Sequence, residues 1–130
     1  MVISRSQKVG VKALISVVEE VQKHYPRMEL GQLSVLLRVL DRPGTNAAEL
    51  VKTTGLSKSA LSRAVRVLGS SAYTHDGDGS QREHGLNLIT QIIDPADSRA
   101  KLVAPTTLGR RLGDEFERII GDACNGKTKG

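Results

Sequence analysis

Apolar residues at three- and four-residue steps outline the helices of this chain. Val11, Leu14, Ile15, Val18 and Val21 form the first such stripe, and it stops at His24-Tyr25-Pro26, where proline pushes the preceding residue out of the helical region. Leu30, Leu33, Leu36, Leu37 and Leu40 repeat the spacing, and Asp41-Arg42-Pro43-Gly44 supplies the turn that ends it. Asn46 stands three residues before Glu49, so its side chain can accept from the Glu49 amide while the carboxylate reaches back, a variant capping box. The box predicts a short helix over 47–54, closed by Gly55, the residue that most cheaply adopts the left-handed conformation. Ser57 is a fresh N-cap, and the helix it opens runs from 58 to about 68–70. With Leu56 buried in the turn between them, these two short helices predict a helix-turn-helix.

Placed at about 100° per residue, the second of those helices splits into two faces. Lys58, Ser59, Ser62, Arg63 and Arg66 fall within an arc of about 140°, and Ala60, Leu61, Ala64, Val65, Val67 and Leu68 occupy the rest. The pattern then changes. A polar loop rich in Gly, Ser, Asp and His covers 70–85, a Leu- and Ile-rich strand 86–93, a turn 94–98 and a returning strand 101–104. Thr106 or Thr107 caps a last helix with the stripe Leu108, Leu112, Phe116, Ile119 and Ile120, before a Gly-, Asn- and Lys-rich tail from Gly121. The expected class is mainly α with a small β-hairpin, α+β.

A length of 130 residues predicts one domain, 1–130, and 38% hydrophobic with 25% charged residues predicts folding rather than disorder. The aromatics are Tyr25, Tyr73 and Phe116, too few for a stacking platform on single-stranded nucleic acid. A net charge of +5 turns attention to polyanions or a membrane surface. Cys124 is the only cysteine, so no intrachain disulfide forms and a reducing cytoplasm is the expected compartment. Arg5, Lys8 and Lys12 ahead of the apolar run 13–18 look a little like a signal peptide, but Glu19 and Glu20 end the run, which reads as a mature helix. No stretch approaches a membrane span.

The candidate chemistry follows from the basic helix face. A helix with cations and hydroxyls on one side fits the major groove of B-DNA, where Arg63 and Arg66 can each offer guanine two parallel bonds. Lys58, Ser57, Ser59 and Ser62 suit phosphates as well. The plain alternative is a solvated amphipathic face. Arg99, read at the hairpin tip beside Asp97, can enter a narrow minor groove with Asp97 holding its guanidinium; otherwise the two are a surface ion pair worth at most about 1 kcal/mol. The run His75-Asp76-Gly77-Asp78-Gly79-Ser80 resembles a calcium loop only briefly, since Gln81 and Asn87 stand where glycine and a bidentate glutamate are needed. His75, His84 and Cys124 make no zinc set, and no nucleophile elbow, phosphate loop or metalloprotease motif is present. Neither an enzyme nor a cofactor is expected, and Cys124 lacks the local features of a redox sensor.

The stretch 30–112, about two thirds of the chain, resembles the MarR-type winged-helix transcriptional regulators. The resemblance rests on Gln32-Leu33-Ser34-Val35-Leu36, Asn46-Ala47-Ala48-Glu49-Leu50, the helix-turn-helix run from Gly55 to Arg63, the wing run Asp94-Pro95-Ala96-Asp97-Ser98-Arg99-Ala100-Lys101, and Leu102-Val103-Ala104-Pro105-Thr106-Thr107-Leu108-Gly109-Arg110. It implies a winged helix-turn-helix flanked by dimerisation helices at 5–25 and 107–123, with a flexible tail at 124–130. It further implies a homodimer on pseudo-palindromic double-stranded DNA, repressing more often than activating. By position, residues 57–66 match the recognition helix and Arg99 the wing arginine, steadied by Asp97. The candidate contact set is Ser57, Lys58, Ser59, Ser62, Arg63, Arg66, Asp97, Arg99 and Lys101. Many members bind small aromatic acids, yet no residue here specifies such a pocket. Three departures from the family pattern stand out: the long loop at 70–85, Pro105 in place of an aliphatic residue, and a carboxyl terminus that stops soon after Ile120, where many members continue through a longer helical dimerisation region. The rival readings are a winged-helix module that binds protein rather than DNA, and a membrane-surface helix at 1–25, which requires an exposed apolar face.

Overall fold

The computed structural model describes residues 8–69 and 85–125. Along them lie α1 (Val9–His24), α2 (Leu30–Asp41), β1 (Thr45–Asn46), α3 (Ala47–Thr54), α4 (Lys58–Leu68), β2 (Ile89–Asp94), β3 (Asp97–Pro105) and α5 (Thr107–Cys124). The polar loop up to residue 84, the calcium-like run 75–80, residues 5–7 of the first expected helix and residues 126–130 of the tail lie outside the described residues. The chain divides into two compact units, a central one, Glu29–Gly113, and a terminal one, Met1–Met28 with Asp114–Gly130.

The central unit builds its core from Val35, Leu36 and Val39 of α2, Leu50 of α3, Leu61, Ala64 and Leu68 of α4, and Leu88, Ile89 and Val103. The core face of α2 is therefore turned from the expected leucine stripe: Val35 and Val39 join Leu36, while Leu30 and Leu37 are exposed. Local chemistry sets the helix ends. The Asn46 side chain accepts from the Glu49 amide at 2.8 Å, and Gly55 closes α3 with φ 75°, a conformation costly for residues with a Cβ. The Ser57 hydroxyl accepts from the Ala60 amide at 3.1 Å and starts α4.

The sheet is antiparallel in the order β1-β3-β2, so the expected hairpin gains a third strand. β1 has only two residues and carries no periodic signal; it pairs Thr45 with Val103 and Asn46 with Leu102. β2 begins at Ile89 rather than residue 86 for a clear reason. The amides of Leu86, Asn87 and Leu88 donate to the carbonyls of Val67, Gly69 and Leu68, which fastens this segment to the end of α4 before the ladder starts. β3 is longer than expected and ends on Pro105, opposite Ile89, a strand-end position that a residue without an amide hydrogen tolerates.

Thr106 resolves the choice of cap for α5. Its hydroxyl accepts from the Gly109 amide at 3.0 Å and donates to the Asn87 carbonyl at 2.7 Å. The helix continues through Gly121 to Cys124, one turn beyond the expected start of the tail, because its i to i−4 bonds persist to Asn125.

In the terminal unit, Ala13, Val17, Val21, Phe116 and Ala123 are buried. This corrects the reading of the first helix. Four-residue steps through Ala13, Val17 and Val21 form its buried face, and of the expected stripe only Val21 is inside. Val11, Leu14, Ile15 and Val18 are 51%, 63%, 52% and 44% exposed. On α5, Arg118 pairs with Glu115 and with Asp122, the latter at 3.0 Å. The Glu115 carboxyl is held below its ordinary range, first by the Arg118 hydrogen bond and further by the positive charge of Arg118 and Lys23. Among the described residues, no helix is long and apolar enough to cross a membrane.

Candidate nucleic-acid interface

The segregation expected for α4 is present. Lys58, Ser59, Ser62, Arg63 and Arg66 are all exposed, Leu61, Ala64 and Leu68 are buried, and Ala60, Val65 and Val67 lie half-buried between. Leu61, Ala64 and Leu68 dock the helix on the core, so the cationic face stands outward on a rigid element. Ser57 is also exposed, but its oxygen is engaged in the cap, and its hydroxyl lies 3.3 Å from that of Ser59. The serines thus gather at the amino end of α4, where the helix dipole favours anions.

Both units of the chain carry a net positive charge. Residues 29–113 carry 11 Lys and Arg against 8 Asp and Glu, and residues 1–28 with 114–130 carry 8 against 6. The cations that single out the central unit are local, Lys58, Arg63 and Arg66 on the one exposed face of α4.

The ribbon corrects the place of Arg99. Ile93 pairs with Lys101, yet the next residue, Asp94, pairs with Asp97, so Ser98, Arg99 and Ala100 stand opposite no residue of β2. The tip is Pro95-Ala96, tightened by an Ala96 amide that donates to the Asp94 carboxylate at 2.8 Å. Arg99 occupies the middle of a bulge behind that tip. Bulges bend a strand and re-aim its side chains. The side chains of Ser98 and Arg99 lie outside the described residues, while Asp97 and Lys101 are exposed.

Between α4 and the ribbon opens a cleft of about 450 Å³, lined by Asn46, Ala47, Ala48, Leu50, Val65, Gln91, Ala100, Lys101 and Val103. Among the expected contact residues whose side chains are described, only Lys101 borders it. Asn46 and Gln91 were not among the candidates, because only the strand register, which the sequence pattern does not encode, brings them to Lys101. Among the described residues no three His, Cys, Asp or Glu side chains gather to hold a metal ion.

No protein-family model and no curated protein matches the chain. Solved structures do. MarR of E. coli, in its apo form, aligns at a TM-score of 0.59 with 19% identity, over 98% of this chain and 85% of its own. MepR of S. aureus, crystallised in complex with DNA, gives 0.62 and 17% over 84% and 77%. CouR of Rhodococcus jostii RHA1, bound to p-coumaroyl-CoA, gives 0.59 and 25% over 95% and 75%. With its helix-turn-helix, its three-stranded wing and its long flanking helices, this chain has the MarR-type winged-helix fold.

Proposed function

We propose that the chain is a sequence-specific double-stranded DNA-binding transcriptional regulator, a repressor that acts by occupying its site and performs no chemistry. The observation that carries this reading is the division of α4 into a packed apolar side and an exposed side of Lys58, Ser59, Ser62, Arg63 and Arg66. In the major groove Arg63 and Arg66 read guanine, while Lys58 and the serines hold phosphates and set register. Arg99 enters the minor groove from the bulge, oriented by Asp97. The net charge of +5 and the likeness to MepR, a protein crystallised on DNA, support the assignment.

Residues 1–130 work as one DNA-binding domain whose first and last helices form a homodimer. The exposed stripe of Val11, Leu14, Ile15 and Val18 supports this, since a row of aliphatic side chains at helical spacing is what a second copy would cover. A DNA partner and a lone cysteine support a cytoplasmic site of action.

The test is a titration into fluorescent duplex DNA at several salt concentrations. Each neutralised phosphate adds about −0.9 to the log-log slope, so steep salt dependence is expected, lost in Arg63→Ala/Arg66→Ala/Arg99→Ala. On a selected site, Arg66→Ala costs about 1–3 kcal/mol and relaxes the preference at one base pair, while Lys58→Ala weakens all sequences alike. Absence of binding at low salt would overturn the reading in favour of a protein-binding module.

A further inference from the structure

The carboxyl end of α4 is held from outside the helix. A helix leaves its last carbonyls without internal partners, and here those of Val67, Leu68 and the capping Gly69 accept from the amides of Leu86, Leu88 and Asn87 at 2.9, 2.8 and 2.9 Å. The order is not that of a regular ladder, because the chain turns at Asn87, which has φ 59° and is the only non-glycine residue with positive φ among the described residues. Such a conformation persists where the surroundings fix it. The Asn87 amide is fixed by Gly69, and the Asn87 carbonyl accepts from the Thr106 hydroxyl at 2.7 Å. The Leu88 carbonyl accepts from the Thr106 amide at 3.0 Å. The same Thr106 hydroxyl accepts from the Gly109 amide at 3.0 Å, which starts α5. Leu68, Leu88 and Ile89 are fully buried, so side-chain packing and backbone bonds fix the same few residues.

We propose that Thr106 is a positioning residue for the reading of bases. By holding the carbonyls of Asn87 and Leu88 it fixes the segment that in turn fixes the last turn of α4, which carries Arg66. The role rests on the DNA-reading assignment and deepens it by adding a residue outside the contact set. A guanidinium that offers guanine two parallel bonds must be placed within about 0.5 Å and 10–20°. A cation beside a phosphate keeps most of its attraction through larger shifts, since that interaction is a slow function of distance. Loosening the end of α4 therefore costs base discrimination before it costs phosphate binding. The hydroxyl has two separable duties: it accepts to cap α5, and it donates to hold Asn87. Only the second reaches α4.

The experiment uses the full chain and two fluorescent duplexes, one selected by the parent from a random pool and one of mixed sequence. The readout is the ratio of the two affinities at fixed salt, with circular dichroism as a check on folding. Partial unfolding lowers both affinities by one factor and leaves the ratio unchanged, so the ratio separates positioning from stability. Thr106→Ser keeps donor and acceptor and is expected to keep the parent's ratio. Thr106→Asp keeps an acceptor for the Gly109 amide, and aspartate is a favoured N-cap, but its carboxylate cannot donate to Asn87. Its ratio is expected to fall about tenfold, on the order of one base contact. Repulsion between the new charge and DNA weakens both duplexes alike and drops out of the ratio. Thr106→Val loses both bonds and shows the same fall, which serves as the second variant should the aspartate disturb folding. Thr107→Val, at the exposed position next door, keeps the ratio. A parent-like ratio in folded Thr106→Asp or Thr106→Val, or an equal fall in Thr106→Ser, would overturn the role and leave Thr106 a helix cap only. In that case the DNA-reading assignment stands, since the parent still prefers its selected duplex; if the parent selects none, both fall.

Discussion

Two hydroxyls on α4 with similar exposure have different physical duties. The Ser57 oxygen already satisfies the Ala60 amide, one of the donors that a helix leaves unpaired at its start, whereas Ser62 lies a turn inside on the exposed face. Ser57→Ala is therefore expected to cost about 1 kcal/mol of folding stability, measured by urea denaturation, while Ser62→Ala changes it by less than about 0.5 kcal/mol. Equal losses would show that the cap is not what holds the start of α4. Gly109 is governed by space. A methyl group there would collide with the Leu88 carbonyl oxygen, a backbone atom of the segment fastened to the end of α4. Since α5 starts where Thr106 bonds Asn87, the helix cannot retreat without breaking its own cap. Gly109→Ala should lower stability by about 1–3 kcal/mol despite its better helix propensity, and unchanged denaturation would refute the close approach.

At the level of elements, helices were legible in the sequence to within a turn because each carries an apolar period and α3, α4 and α5 carry side-chain caps as well. Asn46, Gly55 and Ser57 act on neighbours a few residues away, which is why α3 and α4 could be bounded from the chain alone. The sheet was less legible, since its information is long-range. Thr45 meets Val103 across most of the unit, and nothing local marks a two-residue strand. Likewise the bulge at Arg99 is a mismatch between two strands, invisible in either one. The inward face of α1 was misread for a related reason: periodicity finds an apolar stripe but does not say whether the same chain or a second one covers it. In α5 the ion pairs allow a separate test. Because the folded-state pKa of Glu115 is depressed, its contribution is present above the ordinary carboxylate range and is lost as pH falls through the folded value. Thermal unfolding of Glu115→Gln should match the parent in acid and fall slightly below it near neutrality, the difference being small because the pair is exposed and screened. A gap that widens toward acid would contradict the assignment.

In the whole molecule, the two faces of α1 meet different surroundings. Ala13, Val17 and Val21 are spent within the chain, and Val11, Leu14, Ile15 and Val18 are left to water. If a second copy covers that stripe, charges placed in it should separate the protomers without disturbing the first face. Leu14→Glu/Ile15→Glu is accordingly expected to run as a monomer in light scattering while its circular dichroism stays that of the parent. Its DNA binding then tests how the assembly works. Two recognition helices held by a two-fold interface address half-sites about 34–36 Å apart, and the second half binds at the high effective concentration set by the first. Loss of the dimer should thus reduce affinity for a two-half-site duplex by about a hundredfold or more, yet leave affinity for an isolated half-site nearly unchanged. A variant that stays dimeric would move the interface off α1. If the stripe instead met a lipid surface, the parent would float with anionic liposomes and the variant would not. That result would reassign the exposed face of α1 while leaving the basic face of α4, which sits in the other unit, available for its own ligand.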